Sequence, residues 1–356
     1  MNDADLFFVA PGRLDSRTGG SIYDRRMVEG LRALGRTIEV VEAPGGWPFP
    51  DLSAHEAASR ALADLPDGAA VVLDGLLFGA VPDLAEREAA RLRLIALVHH
   101  PLCDEAGLTP SAVERLMESE RRALAVAAGV LATSRFTARG LARFGLDPEA
   151  VAVVEPGVEP APPARGSAGE GPARLLCAAT LIPRKGHDVL LRALSQTRDL
   201  EWRLDCAGKA DLDPDWAAQM KSLARELDLC ERIVFHGELS EQALADLFAE
   251  SDLFVLASRY EGYGMAVAEA LARALPVVTT TGGALADTLP DGAGVAVPPD
   301  DPAAFAAAIR TALADDAARS HLVRGARSAR ARLADWPMQS RAFADALDRL
   351  LKRDAG

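Results

Sequence analysis

The chain has 356 residues, 49% of them apolar and 26% charged, with a formal net charge of −13. That length is about twice a usual domain, so two globular domains with sizeable cores are expected. The acidic balance excludes a duplex nucleic-acid binder, which needs a broad basic surface, yet it allows a small anionic ligand gripped by a local cluster of donors. Four cysteines, at 103, 177, 206 and 230, form no CxxC pair and no metal-ligand spacing. Cys177 and Cys206 fall in apolar runs, as small buried hydrophobes do, which fits a reducing compartment. The N-terminus is acidic and unlike a signal peptide, and no run approaches the roughly 18 apolar residues of a membrane span. A cytoplasmic protein is expected.

In chain order, short apolar runs alternate with longer amphipathic stretches, the pattern of parallel sheets with crossover helices. The runs of the first half are Leu6–Ala10, Thr37–Val41, Ala70–Leu73, Leu92–Val98, Val130–Thr133 and Val151–Val154. Between them lie helical stretches such as Ser21–Leu34, Ala112–Ala127 and Thr137–Phe144. Pro160–Pro172 has no periodic apolar face and is dominated by proline and glycine, so it reads as a linker. The alternation resumes at Arg174–Ala179, Trp202–Ala207, Arg232–His236, Leu253–Ala257, Pro276–Thr280 and Gly294–Val297. Trp336-Pro337 interrupts the pattern before a last helix, Gln339–Lys352, which would leave the second domain and pack on the first. Two such doubly wound domains place ligands at the carboxyl ends of their strands, so a cleft between them is the expected site.

Four motifs sit at strand ends. The stretch Ser258–Ala272 follows Leu253–Ala257, passes Gly262 and Gly264, and enters a helix running to about Ala274. The glycines let backbone approach a ligand, and a helix N-terminus offers unpaired N–H groups suited to phosphate. Glu261 in the loop and Glu269 in the helix would accept hydrogen bonds from a sugar and a ribose, each worth about 1.5–3 kcal/mol. The plain alternative is two solvated glutamates. Arg184 and Lys185, after Arg174–Ala179 and before a helix starting near Gly186, would neutralise a leaving diphosphate; otherwise they are solvated loop cations. Pro11–Ser21 is an anion-capable loop containing Gly19 and Gly20. It matches neither GxGxxG nor GxxxxGK[ST], which disfavours a nicotinamide dehydrogenase and a P-loop enzyme. Of His99 and His100, which point apart, His99 is taken as the one able to donate to a substrate oxygen or shuttle a proton, with a packed histidine as the alternative.

Two signals are discounted. Asp211-Leu212-Asp213 has the form of a metal-binding DxD, but Asp213 before Pro214 reads as a helix cap. Arg135, Arg139 and Arg143 recur every four residues beside Phe136 and Phe144, a basic stripe read as a solvated face, with peripheral contact to anionic lipid as the minor alternative.

Taken together, Glu261-x7-Glu269, Arg184-Lys185-Gly186, Gly19-Gly20, Ala274–Val278 and Gly282-Gly283 resemble the retaining glycosyltransferases of family 4, which have the GT-B fold. The likeness is strong in the C-terminal half and looser in the N-terminal half. It implies an α/β protein with two Rossmann-like, doubly wound parallel-sheet domains facing a cleft. Residues 1–160 would form the acceptor side, 161–335 the nucleotide-sugar side, and 336–356 a C-terminal helix returning to the first domain. By the same resemblance Lys185 binds the donor pyrophosphate, Glu269 the ribose, and Glu261 the transferred sugar, with Gly262, Tyr263, Gly264 and Met265 completing the pocket. Gly19 and Gly20 approach the phosphates, His99 lies near the reacting sugar, and Gly237 and Leu239 lie by the base. One departure stands out: many members carry an arginine five residues before the lysine, where this chain has Thr180, and Arg184 is the candidate to replace that charge. The implied activity moves a hexose from a nucleotide-sugar, a UDP-sugar ahead of GDP-mannose, to an unidentified acceptor hydroxyl. Neither metal nor cofactor is expected, and nucleic acid is not a partner. A nucleotide-sugar 2-epimerase and an inactive nucleotide-sugar-binding protein remain as alternatives.

Overall fold

The computed structural model describes residues 4–16, 18–105, 107–167, 169 and 171–353. The chain divides into two compact units, Met1–Gly157 with Ala334–Gly356, and Val158–Leu333. The first begins with β1 (Leu6–Ala10), α1 (Gly19–Ala33), β2 (Ile38–Glu42), α2 (Leu52–Ala63) and β3 (Ala70–Asp74). It continues with α3 (Gly75–Phe78), α4 (Pro82–Glu88), β4 (Arg93–Val98), α5 (Pro110–Ala125), β5 (Gly129–Ala132), α6 (Arg135–Gly140) and β6 (Ala152–Val153). The second holds β7 (Ala173–Ala178), α7 (His187–Ser195), β8 (Trp202–Ala207), α8 (Pro214–Glu226), β9 (Ile233–Gly237), α9 (Glu241–Glu250) and β10 (Leu253–Leu256). It closes with α10 (Met265–Ala272), β11 (Val277–Thr280), α11 (Leu285–Thr288), β12 (Gly294–Val297), α12 (Pro302–Ala314) and α13 (Asp316–Arg330). The last helix, α14 (Trp336–Arg353), belongs to the first unit.

Each unit is built on one six-stranded sheet, ordered β2-β1-β3-β4-β5-β6 in the first and β12-β11-β10-β7-β8-β9 in the second. Every strand pairing is parallel. All residues of β1, β3, β10 and β11 are buried. Helices cover both faces of such sheets, which is why these segments read as unbroken apolar runs rather than alternating ones. Separate cores fill the units, one around Phe7, Val71, Leu94 and Leu116, the other around Leu176, Trp202, Phe254 and Phe305. Capping fixes where helices begin. Thr109, Asp213 and Asp301 each precede a proline and accept from the amide three residues on, at 3.3, 2.9 and 2.9 Å. Asp213 is thus engaged as a cap.

Several boundaries differ from the sequence reading. The loop expected to hold Gly19 and Gly20 ends at Thr18, whose hydroxyl accepts from Ser21 N at 3.2 Å, so both glycines lie in the first turn of α1. The helix expected over Thr137–Phe144 is split: α6 stops at Gly140, and a 3-10 turn then runs to Phe144 and ends at Gly145 in the left-handed conformation. The last helix starts at Trp336, three residues early, because Pro337 falls in its first turn, where no amide is needed. The helix after the glutamate loop stops at Ala272, not Ala274, and Ala274 has φ 56°.

Within the first unit α14 packs on α1 at close range. A Cβ on Gly30 would overlap the Ser340 hydroxyl, which donates to Trp336 O at 2.8 Å. The Tyr23 ring meets Trp336 and Phe343 edge-on at 6.2 and 6.3 Å, and its hydroxyl donates to Val154 O at 2.8 Å. Nearby, the buried Glu120 carboxylate reaches from α5 to accept from Leu102 N at 2.8 Å and Cys103 N at 3.3 Å, bracing the loop after β4. Burial pushes this carboxyl up to about 7, despite those two donors.

Two outcomes follow for stability. Gly30→Val should cost about 1–3 kcal/mol, several degrees in Tm, and Ser340→Gly in the same chain should return part of it; an unchanged melt would mean the two helices do not touch there. Glu120 binds its proton more tightly folded than unfolded, so its contribution is complete below about pH 4.5 and fades as pH rises through about 7. The stability of the wild type relative to Glu120→Gln should therefore fall by up to about 3 kcal/mol between pH 4.5 and 8, read from urea midpoints. A pH-independent difference would contradict a buried carboxyl.

Candidate functional site

In the second unit the strand order reverses between β7 and β10, and open α/β sheets bind ligands outside the strand ends at that point. The loops leaving these two strands carry the charged candidates. After β7, Pro183–Lys185 forms one 3-10 turn that ends at Gly186 with φ 64°. A Cβ on Gly186 would run into the carbonyl of Ala257, so glycine is required there both by conformation and by contact. The two loops are also stitched together. Arg259 N donates to Arg184 O at 2.8 Å, and the Arg259 guanidinium bonds Asp188 at 2.8 and 3.0 Å and the Pro183 carbonyl.

Glu261 is buried at the centre of this arrangement. Lys185 Nζ donates to its Oε1 at 2.6 Å, and Ser258 Oγ donates to the same oxygen at 2.6 Å. Arg184 Nη1 lies 3.5 Å from Oε2 and donates to Tyr260 O at 2.9 Å. Burial pushes the carboxyl up, but the Lys185 and Arg184 charges, with the hydrogen bonds from Lys185 and Ser258, outweigh it and hold Glu261 below its ordinary range. Two cations against one carboxylate leave one positive charge in excess. Glu261 also bridges to Gly283 in parallel register, and Ala284 N donates to its carbonyl at 2.8 Å. Gly264, at φ 101°, then turns the chain into α10, whose first-turn amides start at Met265. Gly262 and Tyr263 lie in the turn between, and the Thr288 hydroxyl donates to the Tyr263 carbonyl.

Glu269 stands apart electrostatically. It is half-buried on α10; burial pushes its carboxyl up, with Arg273 opposing and Glu159 adding to the rise. Arg273 donates to the Glu269 carbonyl at 3.1 Å and lies 4.5 Å over the Phe248 ring. So the structure joins Arg184, Lys185 and Glu261, while the charged neighbours of Glu269 are Arg273 and Glu159. Thr180 is half-buried just past β7. Gly237 ends β9 with φ 69°, its carbonyl accepting from Gly208 N at 2.9 Å and nothing within 4 Å of where a Cβ would stand. Leu239 follows in a half-buried loop position, and His236 beside it pairs with Asp205 at 2.6 Å.

In the first unit the order reverses between β1 and β3, and a second charged cluster lies at the strand ends there. His99 Nε2 is 3.0 Å from Asp24 Oδ1 on α1 and 3.4 Å from Asp74 Oδ2 at the end of β3. Gly20 lies against the ring, a Cβ there standing 3.4 Å from His99 Cδ2, and Gly19 precedes it in the same turn. His100 turns instead to Glu105 at 3.2 Å. Asp24, Asp74 and Ser258 were missed by sequence reasoning. Asp24 shares the helical face of Met27, Val28 and Leu31, and a carboxylate on an apolar stripe was the available signal. The basic stripe is partly neutralised: Arg143 makes two bonds of 2.7 Å to Asp104, and Arg139 lies 6.0 Å over Phe136. Among the described residues no helix is long and apolar enough to cross a membrane.

The chain is similar to several known proteins. The D-inositol 3-phosphate glycosyltransferase of Xylanimonas cellulosilytica is 31% identical over 251 residues, covering 66% of this chain and 60% of that protein. The glycogen synthase of Mycobacterium tuberculosis (strain H37Rv) is 34% identical over 201 residues, 54% of this chain and 47% of its own. The chain thus spans about half to 60% of the length of these relatives. The solved sucrose-phosphate synthase of Thermosynechococcus elongatus superposes with a TM-score of 0.82 at 19% identity, covering 98% of this chain and 99% of that one. Anabaena HepE in complex with UDP and glucose gives 0.76 at 16% identity, over 97% and 99%. These likenesses establish the fold as GT-B, two Rossmann-like α/β domains. The family described as glycosyl transferases group 1 matches residues 163–329, and that segment, carrying Arg184, Lys185, Glu261 and Glu269, belongs to it.

Proposed function

We propose that the protein transfers a hexose from a nucleotide-sugar to an acceptor hydroxyl, with retention of anomeric configuration and without a divalent metal. The observation that carries this reading is the buried Glu261 carboxylate shared by Lys185, Ser258 and Arg184 at the switch point of the second sheet. Breaking a glycosyl–phosphate bond builds negative charge on the diphosphate and positive charge at the anomeric carbon. The excess cation of the Arg184–Lys185–Glu261 cluster and the first amides of α10 suit the former, fixed in place before the charge develops. Glu261 then accepts from sugar hydroxyls on the other side, and Arg184 serves as the charge that Thr180 does not supply. Glu269 takes the ribose, Gly237 and Leu239 lie by the base, and the departing phosphate accepts the acceptor's proton. In this reading the second unit is the donor side and the first the acceptor side.

A UDP-sugar is favoured over GDP-mannose, and the UDP and glucose bound by Anabaena HepE support that preference. The D-inositol 3-phosphate glycosyltransferase relative supports a small polar acceptor carrying hydroxyls.

The test combines ligand binding and turnover. Among UDP, GDP, ADP and TDP, UDP should raise Tm most; saturation at 100 times Kd is worth about 2.7 kcal/mol. Lys185→Ala and Glu261→Gln should each lower release of sugar from the matching donor by about 100-fold or more with unchanged circular dichroism, and Lys185→Ala should erase the UDP shift. Turnover like the wild type in both variants would remove the proposal.

A further inference from the structure

The Asp24–Asp74–His99 cluster is more heavily built than a merely packed histidine requires. The ring is held from several sides. Its Nε2 points at two carboxylates at once, 3.0 and 3.4 Å away. Tyr23 meets the ring edge-on at 5.4 Å, and the backbone of Gly20 lies against Cδ2. The His99 carbonyl accepts from the hydroxyls of Thr133 and Thr137, both at 3.2 Å. Asp74 is held in turn by Leu76 N at 2.6 Å. The side chains of Asp24 and Asp74 are almost fully buried, whereas that of His99 keeps 18% of its surface. The charged groups facing the ring are Asp24 from α1 and Asp74 from β3, since the His100 ring turns to Glu105.

A nitrogen placed between two buried, ionised carboxylates carries a proton, because an unprotonated Nε2 would set its lone pair against theirs. Two ionised carboxylates buried together also repel, and a positive ring is the nearest available compensation. His99 Nδ1 has no partner among the described residues. We propose that Asp24 and Asp74 are positioning residues that keep His99 an imidazolium, so that Nδ1–H is a fixed, charged hydrogen-bond donor to a ligand oxygen, a sugar hydroxyl or a phosphate, and never a proton acceptor. This replaces the proton shuttle that a strand-end histidine suggests. The direction of the shifts agrees: burial disfavours the charged ring, but Asp24 and Asp74 together raise His99 well above its ordinary value. Burial and the Asp74 charge raise Asp24, whereas at Asp74 burial is outweighed by the hydrogen bond and charge of His99, which lower it. The nature of the ligand rests on the glycosyl-transfer reading; the state of the ring does not.

The experiment is a pH titration of the full chain labelled with 15N-histidine, the His99 signals being assigned by their loss in His99→Gln. Both His99 nitrogens should keep imidazolium shifts from pH 5.5 to 8.5, while Asp24→Asn with Asp74→Asn should bring a midpoint back to about 6.5. Asp74→Asn alone, which keeps the carboxylate at 3.0 Å, should shift the midpoint partway and serves if the double variant does not fold. A wild-type midpoint below about 7.5, or a neutral tautomer with bare Nδ1, would overturn the proposal. So would a bound-metal shift of Nε2 on adding Zn2+ or Mn2+ at stoichiometric concentration. With UDP-glucose turning over, kcat/KM of His99→Gln should fall about 10- to 100-fold, the loss of one charged donor. In the Asp24→Asn, Asp74→Asn chain, kcat should fall as pH rises through about 6.5, a limb the wild type lacks. Absence of turnover in the wild type would count against the transferase and leave the titration to decide the ring.

Discussion

The Glu261 carboxylate has to be neutralised where it lies, and the second unit is arranged around that requirement. Removing one partner of a buried ion pair typically costs about 3–5 kcal/mol, because the remaining charge is left without water. Glu261 has three partners, Lys185, Ser258 and Arg184, drawn from two loops 76 residues apart in sequence. Satisfying it therefore fixes the β7 loop against the β10 loop, and the remaining details serve that contact. Gly186 lets the backbone pass beside Ala257, Gly283 lets the chain after β11 bridge to Glu261, and Arg259 closes the junction through Asp188 and Asp300. Lys185 thus waits in a defined position, with its rotamer freedom already lost to the fold rather than to ligand binding.

Burial of the carboxylate also bears on how the same residue could hold the fold and take the role proposed for it in chemistry. Glu261 uses one oxygen for Lys185 and Ser258, while the other has the looser approach of Arg184 at 3.5 Å. A carboxylate offers about four lone-pair positions, so acceptor capacity remains after the structural bonds are made. Glu269 contrasts with it. Its charge meets Arg273 and Glu159, with burial prevailing. A carboxyl of that kind suits neutral hydroxyl partners better than a developing charge.

Much of the architecture is legible in the sequence because parallel strands leave short apolar-rich runs, unbroken where both faces are buried as in β1, β3, β10 and β11, and twelve strands follow in order. What fails is local. Thr18 begins α1 two residues before the apolar periodicity does, and Pro337 looks like an interruption although it sits in a first turn. Gly140 ends α6 where the periodicity carries on. The site divides in the same way. Lys185 and Glu261 announce themselves by residue type and by position after a strand, and the structure joins them. That they are adjacent depends on β7 lying beside β10, a strand order that no local pattern encodes. Asp24, Asp74 and Ser258 leave fainter traces, since a single polar residue on a buried face has many ordinary explanations and only its partner distinguishes them.

The two clusters are opposites in charge composition at equivalent places in their sheets. At the β7/β10 reversal two cations surround one carboxylate, and at the β1/β3 reversal two carboxylates surround one imidazole. The minority group in each is the one whose protonation state the others dictate, Glu261 held ionised and His99 held charged. The majority groups differ in what they leave over. Arg184 and Lys185 retain a net positive charge able to meet an anion, whereas Asp24 and Asp74 retain negative charge that only a proton or a cation relieves. The first cluster thus offers positive charge to the diphosphate that the proposed function requires. The second is fit to condition a histidine, whose outward nitrogen is the part of the cluster a neutral or anionic ligand can approach.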